Sequence, residues 1–304
     1  MKELQLLNNL KVPTGKIDVV LDTDAYNEID DQFAISYMLR SKEKLNVKAI
    51  YAAPFFNSNS TSPEDGMERS YNEILNLLTL AGEEKLKSSV YHGSRGYLPN
   101  DKEAVESEAA DHLAKLAEKY SPEKPLYVVA IGAITNVASA LLKNPSIAEN
   151  IVVVWLGGHA FHYSHTREFN MHQDYAAARV VFGCGAPVVQ LPCMGVVDKF
   201  ATSGPELEYW LKGKNDLCDY LVKHTCDEVA RYAEGKVWSR VIWDVTAIGW
   251  LLNDNDRFMQ SRLEYSPIPE DSGYYSRPTR HFISYVYYIN RDALFADLFK
   301  KLSN

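Results

Sequence analysis

Asp22, Asp24, Glu28, Asp30 and Asp31 fall within ten consecutive residues, directly after the apolar run Ile17–Leu21. Carboxylates crowded this closely repel one another unless a cation lies among them. Hard divalent cations prefer oxygen ligands, so the run suits Ca²⁺ or Mg²⁺. A plainer reading is a solvated acidic loop with Asp30 or Asp31 capping the helix that follows. The position directly after a buried-type strand favours the metal. The spacing is a poor match to an EF-hand, because it lacks that loop's central glycine and closing glutamate. Asp22-x-Asp24 after a strand also fits a haloacid-dehalogenase-like phosphatase with an aspartate nucleophile. That chemistry normally has Thr or Val where Tyr26 stands.

These acids need elements to hold them. Apolar runs at Ile17–Leu21, Val47–Ala53, Leu126–Ile131, Ile151–Leu156 and Val188–Leu191 read as strands. Between them, apolar residues recur at helical spacing, as at Phe33, Ala34, Tyr37 and Met38. Further helices are expected over Glu103–Tyr120, Thr135–Leu142 and Asp174–Phe182, then from Pro205 to Tyr232, over Asp244–Leu252 and over Asp292–Leu302. A late strand is expected at Arg280–Ile289. Near-continuous apolar strands alternating with helices imply an α/β fold: an open, mostly parallel sheet covered on both faces, with a helical C-terminal part. Ligands of such sheets sit beyond the carboxyl ends of the strands. There the chain places Asp24, Asn57, Gly132 to Asn136, and Gly157-Gly158-His159.

Composition narrows the partners. The 304 residues carry 32 Lys and Arg against 40 Asp and Glu, a net charge of −8. That balance argues against nucleic-acid binding, which needs a basic stripe. No apolar run reaches the ~20 residues of a membrane span, and the N-terminus lacks a secretory signal. The four scattered cysteines read as reduced thiols, so a cytoplasmic location is expected. No linker or repeat divides residues 1–304, which read as one domain.

Six segments in order resemble the inosine–uridine-type nucleoside hydrolases. They are Asp22-x-Asp24 with Asp30-Asp31-x-x-Ala34; Ala49-Ile50 leading to Asn57; Gly132-x-x-Thr135-Asn136; Leu156-Gly157-Gly158; Glu168-Phe169-Asn170 with Asp174 and Ala176-Ala177; and Asp244 opening a helix. The resemblance spans about residues 16 to 300. It implies Ca²⁺-dependent hydrolysis of the N-glycosidic bond of a ribonucleoside or nucleoside analogue, in nucleoside salvage, by a homodimer or homotetramer. It also assigns the site. Asp24, Asp31, Asp244 and the Ile131 carbonyl would bind Ca²⁺. Asp24 would take a proton from water. Asp30 and Asn170 would hold the ribose 2′- and 3′-hydroxyls and Glu168 the 5′-hydroxyl, with Leu156 beside the substrate. Asn57 would orient Asp24 or the sugar, and Asp22 would be structural.

The chain departs from the family pattern in three places. Five residues, Ala25 to Ile29, replace the usual three between the second aspartate and the aspartate pair, so Asn27 or Glu28 could reach the ligand. Trp243 stands where many members have a histidine that protonates the leaving base. Its indole would stack on a purine, or it is simply core. The segment from Gly158 to Glu168 is two residues shorter and holds His159, His162 and His165. His162 would line the substrate pocket, and His165 would supply the acid missing at position 243. Cys218, His224 and Cys226 share a helix and read as structural. The C-terminal tyrosines read as packing or a subunit contact, with Arg277 and Arg280 beside them. The altered loops also leave room for a non-catalytic ribosyl-binding protein on the same fold.

Overall fold

The computed structural model describes residues 2–304. Twelve strands occur among them: β1 (Ile17–Thr23), β2 (Leu45–Ala52), β3 (Val90–Tyr91), β4 (Leu126–Ala130), β5 (Ile151–Leu156), β6 (Val188–Leu191), β7 (Ala201–Thr202), β8 (Arg240–Val241), β9 (Met259–Tyr265), β10 (Ile268–Pro269), β11 (Tyr275–Ser276) and β12 (Phe282–Ile289). Eight form the central sheet, in the order β3-β2-β1-β4-β5-β6-β12-β9. Every neighbouring pair in it is parallel except β12 with β9. The strand order reverses between β1 and β4, which is the switch point where open α/β sheets bind their ligands.

Among the described residues eleven α-helices surround the sheet: α1 (Glu3–Asn9), α2 (Ile29–Leu39), α3 (Pro63–Leu80), α4 (Glu108–Ala117), α5 (Thr135–Lys143), α6 (Phe169–Gln173), α7 (Tyr175–Gly183), α8 (Gly204–Leu211), α9 (Asp216–Ala233), α10 (Val245–Leu251) and α11 (Arg291–Leu302). The strands feed two cores by alternation. Val19, Leu21, Val152 and Val154 face α2, α10 and α11, packing among Phe33, Met38, Trp250 and Phe295. Val20, Val153 and Trp155 point the other way, onto Leu113, Val137 and Phe182. Burial on both faces explains why these strands read as unbroken apolar runs. Every residue of α2 is buried, including Asp30 and Asp31 in its first turn. The partial positive charge of a helix start favours acids there.

Several boundaries differ from the periodicity. The helix expected over Glu103–Tyr120 begins at Glu108, because the Ser107 hydroxyl caps it by accepting the Ala110 amide at 3.1 Å. Upstream, the Val105 amide donates to Ser139 Oγ at 3.1 Å. The helical stretch from Pro205 is two helices, parted at Gly213 (φ +75°), with Asn215 capping the second. Strand β9 leaves no apolar run in the sequence, because its side chains are mostly exposed and polar, as an edge strand allows. Among the described residues no helix is long and apolar enough to cross a membrane.

Candidate active site

At the switch point a cavity of about 240 Å³ opens between the ends of β1, β4 and β5 and the starts of α2, α6 and α10. Asp24, Asn27, Glu28, Asp30, Asp31, Ile131, Leu156, Glu168, Asn170, Trp243 and Asp244 all line it. The ten-residue acidic run and the distant Asp244 thus meet in one wall. Oxygens of Asp30, Asp31 and Asp244 lie within 4.8 Å of one another, and all three side chains are buried. Among the described residues no other set of three or more His, Cys, Asp or Glu side chains converges in this way. Cys218, His224 and Cys226 therefore form no ligand set; the Cys218 thiol donates to the Leu302 carbonyl at 3.2 Å.

Asp24 stands beside this trio rather than in it. Both of its carboxylate oxygens are buried without a hydrogen-bond partner, as is Asp30 Oδ1. Unpaired buried carboxylates are costly, so such oxygens imply a ligand. Gly132 makes room for Asp24, since a Cβ at that position would lie 2.8 Å from Asp24 Oδ1. The Thr23 hydroxyl donates to Asp31. Burial raises every one of these carboxyls. Asp30 is pushed up to about 7. Asp24, Asp31 and Asp244 rise well above the ordinary carboxylate range, with mutual repulsion adding to burial. A cation among them would reverse these shifts, because it favours the ionised form. The donor set, hard oxygens only, fits Ca²⁺ or Mg²⁺.

The opposite wall is built on α6. Glu168 caps that helix, accepting the amides of Gly158 (2.8 Å), Asn170 (2.9 Å) and Met171 (3.0 Å). Asn170 Nδ2 donates to the Ile131 carbonyl at 3.0 Å and to the Leu156 carbonyl at 3.1 Å. Both amide hydrogens are thereby used, and the oxygen is left as an acceptor. Trp243 is half-buried, packed partly on the core and partly on the cavity.

Other expected residues lie elsewhere. Asn57 does not line the cavity and does not hold Asp24. It donates to Asn27 Oδ1 at 2.6 Å and so acts one layer behind the wall. His162 is exposed, near Gly195, and His165 packs on His159 with its Nδ1 accepting the Arg167 amide at 3.2 Å. Neither lines the cavity; the histidine that does is His159. The chain leaves β5 with Gly158 at φ +76°, which turns His159 inward and carries the later histidines away. Asp22 lies outside the lining too, accepting Asn136 Nδ2 at 2.7 Å. That placement takes Asp22 out of the cavity, where the phosphatase reading needs its nucleophile. Thr135 and Asp174 brace the same region, hydroxyl to carboxylate at 2.7 Å. Arg277 covers the Phe161 ring and Arg280 binds the Phe182 carbonyl, both away from the cavity.

The structure also adds Arg240, which periodicity did not single out. Its guanidinium is 13% exposed and sits 2.8 Å from Glu28, 3.2 Å from Glu228 and 3.6 Å from Asp30. Burial opposes its charge, yet Asp30, Glu28 and Glu228 together hold its pKa above the ordinary value. It clamps the long Asp24–Asp30 connection from behind, so Asn27 and Glu28 stay in the wall.

An all-oxygen carboxylate site at the switch point of an open α/β sheet is suited to a hard cation and a polyol ligand. Comparison with known proteins makes the class specific. Residues 19–279 match the model of the inosine-uridine preferring nucleoside hydrolase family. The chain belongs to that family, and so to the hydrolases acting on N-glycosyl compounds. A pyrimidine-specific ribonucleoside hydrolase, RihA, of Citrobacter koseri is 27% identical over 261 residues, covering 78% of this chain and 79% of the relative. The plant nucleoside hydrolase PpNRh1 shares the fold with a TM-score of 0.74 at 20% identity, over 96% of this chain and 99% of that one. A purine-preferring ribonucleoside hydrolase from Gardnerella vaginalis gives 0.73 at 20% identity, over 94% and 98%.

Proposed function

We propose that this chain hydrolyses the N-glycosidic bond of ribonucleosides to ribose and free base, with Ca²⁺ as its cation. The observation that carries the reading is Asp24: a buried carboxylate with two unpartnered oxygens, beside three converging acids and facing a sugar-sized cavity. Asp24, Asp31, Asp244 and the Ile131 carbonyl would hold the cation, with Asp30 in reach of it. When bound, the cation supplies Lewis acidity that orients ribose hydroxyls and lowers the pKa of water.

The chain's own groups account for the remaining steps. Asp24 accepts a proton from water as the water oxygen bonds to C1′ and the bond from C1′ to the base breaks; the electron pair of that bond goes to the base nitrogen, which takes a proton from solvent. Such a general base contributes about 10²–10⁴-fold. The surrounding carboxylates stabilise the positive charge that builds on the ribosyl ring, as in glycoside hydrolysis. Asn170 accepts through its oxygen, because its amide hydrogens are engaged by the Ile131 and Leu156 carbonyls. Glu168, fixed by three backbone amides, accepts the 5′-hydroxyl, and Asp30 accepts a ring hydroxyl. A deoxyribose would leave buried acceptors unmet, which selects for ribose. Trp243 offers an indole face to the base, favouring a purine.

The test is base release from inosine, adenosine, guanosine, uridine and cytidine with millimolar CaCl₂. Release that disappears on chelation and in Asp24→Ala is expected. No release from any of the five, nor from 7-methylguanosine, would overturn the reading.

A further inference from the structure

Breaking a bond from C1′ to a neutral base requires a proton for the leaving nitrogen, and the cavity lacks a group suited to give one. Nine titratable side chains line it: Asp24, Glu28, Asp30, Asp31, His159, Arg167, Glu168, Cys193 and Asp244. His159 Nδ1 accepts the Met194 amide at 3.3 Å, which leaves the neutral ring with its proton on Nε2. Burial and the neighbouring His165 push its pKa down to about 4, so it is neutral at physiological pH and a feeble acid. Glu168 is tied as an acceptor by three amides, and the Cys193 thiol is directed to Glu168. Glu28 is engaged with Arg240. Asp24, Asp30, Asp31 and Asp244 belong to the cation and sugar side.

Charge points the same way. Six carboxylates line the cavity and Arg167 is the one basic side chain with a fixed charge among the lining residues. Even with Arg167, Arg240 and a divalent cation set against those six, two negative charges remain. In a cavity of low dielectric that residual charge attracts cations. The aromatic ring in the lining next to Asp244 is an indole, the best side-chain face for a cation.

We propose that the favoured substrates are ribonucleosides whose base already carries a fixed positive charge, such as an N7-alkylated purine. This rests on the ribonucleoside-hydrolase reading of the same cavity. When the bond from C1′ to nitrogen breaks, its electron pair goes to the cationic base, which leaves neutral. Water bonds to C1′ and its proton passes to Asp24. Atoms and charge balance with no acid acting on the base. Trp243 then selects the base by its charge, and the missing histidine at that position is no defect.

The matched probes are 7-methylguanosine and guanosine. Because the methylated base is also the better leaving group, binding is measured apart from turnover. In the chelated, inactive protein, 7-methylguanosine should bind at least tenfold more tightly than guanosine, read by quenching of tryptophan fluorescence or by calorimetry. Trp243→Leu should erase that preference, and Trp243→Phe should keep part of it. With CaCl₂, Trp243→His should raise kcat/KM for guanosine tenfold or more without raising it for 7-methylguanosine. Equal affinities of the two ligands, or a Trp243→Leu protein that keeps the preference, would overturn the inference. Turnover of guanosine with no preference for the cation would sink this inference alone. Absence of turnover with both ligands would sink the hydrolase reading beneath it.

Discussion

Removing or adding the cation should reshape how stability depends on pH. Without a cation, Asp22 and Asp30 stand near 7 in the folded chain against an ordinary value of 3.8. Below pH 4 both states are protonated and neither group matters. Between pH 4 and 7 the unfolded chain loses these protons while the folded chain keeps them. The unfolded state then binds fewer protons, so folding stability falls as pH rises and levels off above 7. A tenfold change in proton affinity is worth about 1.4 kcal/mol, which sets an upper scale of about 4 kcal/mol per group. Asp24, Asp31 and Asp244 move in the same direction. A cation needs the ionised forms, so its stabilisation grows over the same window. At a hundredfold excess over its dissociation constant, it would add about 2.7 kcal/mol. For a chain of this size, that is on the order of 5 °C in Tm. The assay is scanning calorimetry of chelated protein with and without CaCl₂ at pH 5 and pH 8. A clear upward shift in Tm at pH 8 and a smaller one at pH 5 are expected. Asp31→Asn should stabilise the chelated protein at pH 8, by removing one repelling charge, and should blunt the CaCl₂ effect. Equal Tm changes at the two pH values, or an Asp31→Asn protein less stable than the parent after chelation, would refute the reasoning.

Three further outcomes are expected. Gly132→Ala would bring a Cβ within 2.8 Å of Asp24 Oδ1, in a site with no slack, so turnover should drop about 10²-fold while circular dichroism stays unchanged. Arg240→Met leaves Asp30 and Glu228 without their countercharge. Because Glu28 and Glu228 reach solvent, the loss should be about 2–4 kcal/mol by denaturant titration, with Arg240→Lys recovering part of it. Asn170→Leu strips the donor from the Ile131 and Leu156 carbonyls and the acceptor from the sugar; kcat/KM for any ribonucleoside cleaved by the parent should fall at least tenfold.

Much of the candidate site's placement was legible because its residues sit in short windows just beyond strand ends. Asp24 follows β1, Ile131 follows β4 and Leu156 ends β5, so finding the strands locates them. Glu168 and Asn170 were visible as a motif, and their hydrogen bonds explain its form: one caps α6 and the other bridges two strand ends. Asn57 and His165 were misplaced for a common reason. Both belong to irregular segments whose direction is set by backbone torsions and distant partners, and periodicity carries no record of either. Arg240 left no local signal at all, since its three partners come from α2, its approach and α9.

The sequence by itself determined the fold class, the family motifs and the concentration of acid after the first strand. Those are local properties, set by residue type and spacing along the chain. Only the tertiary structure decided which acids converge. Asp30, Asp31 and Asp244 meet because α2 and α10 pack side by side with their first turns at the switch point, more than two hundred residues apart in sequence. Packing likewise chose His159 over its neighbours and set Trp243 against the cavity. Side-chain convergence depends on how elements stack across the core, and that is a sum of contacts that no single segment contains.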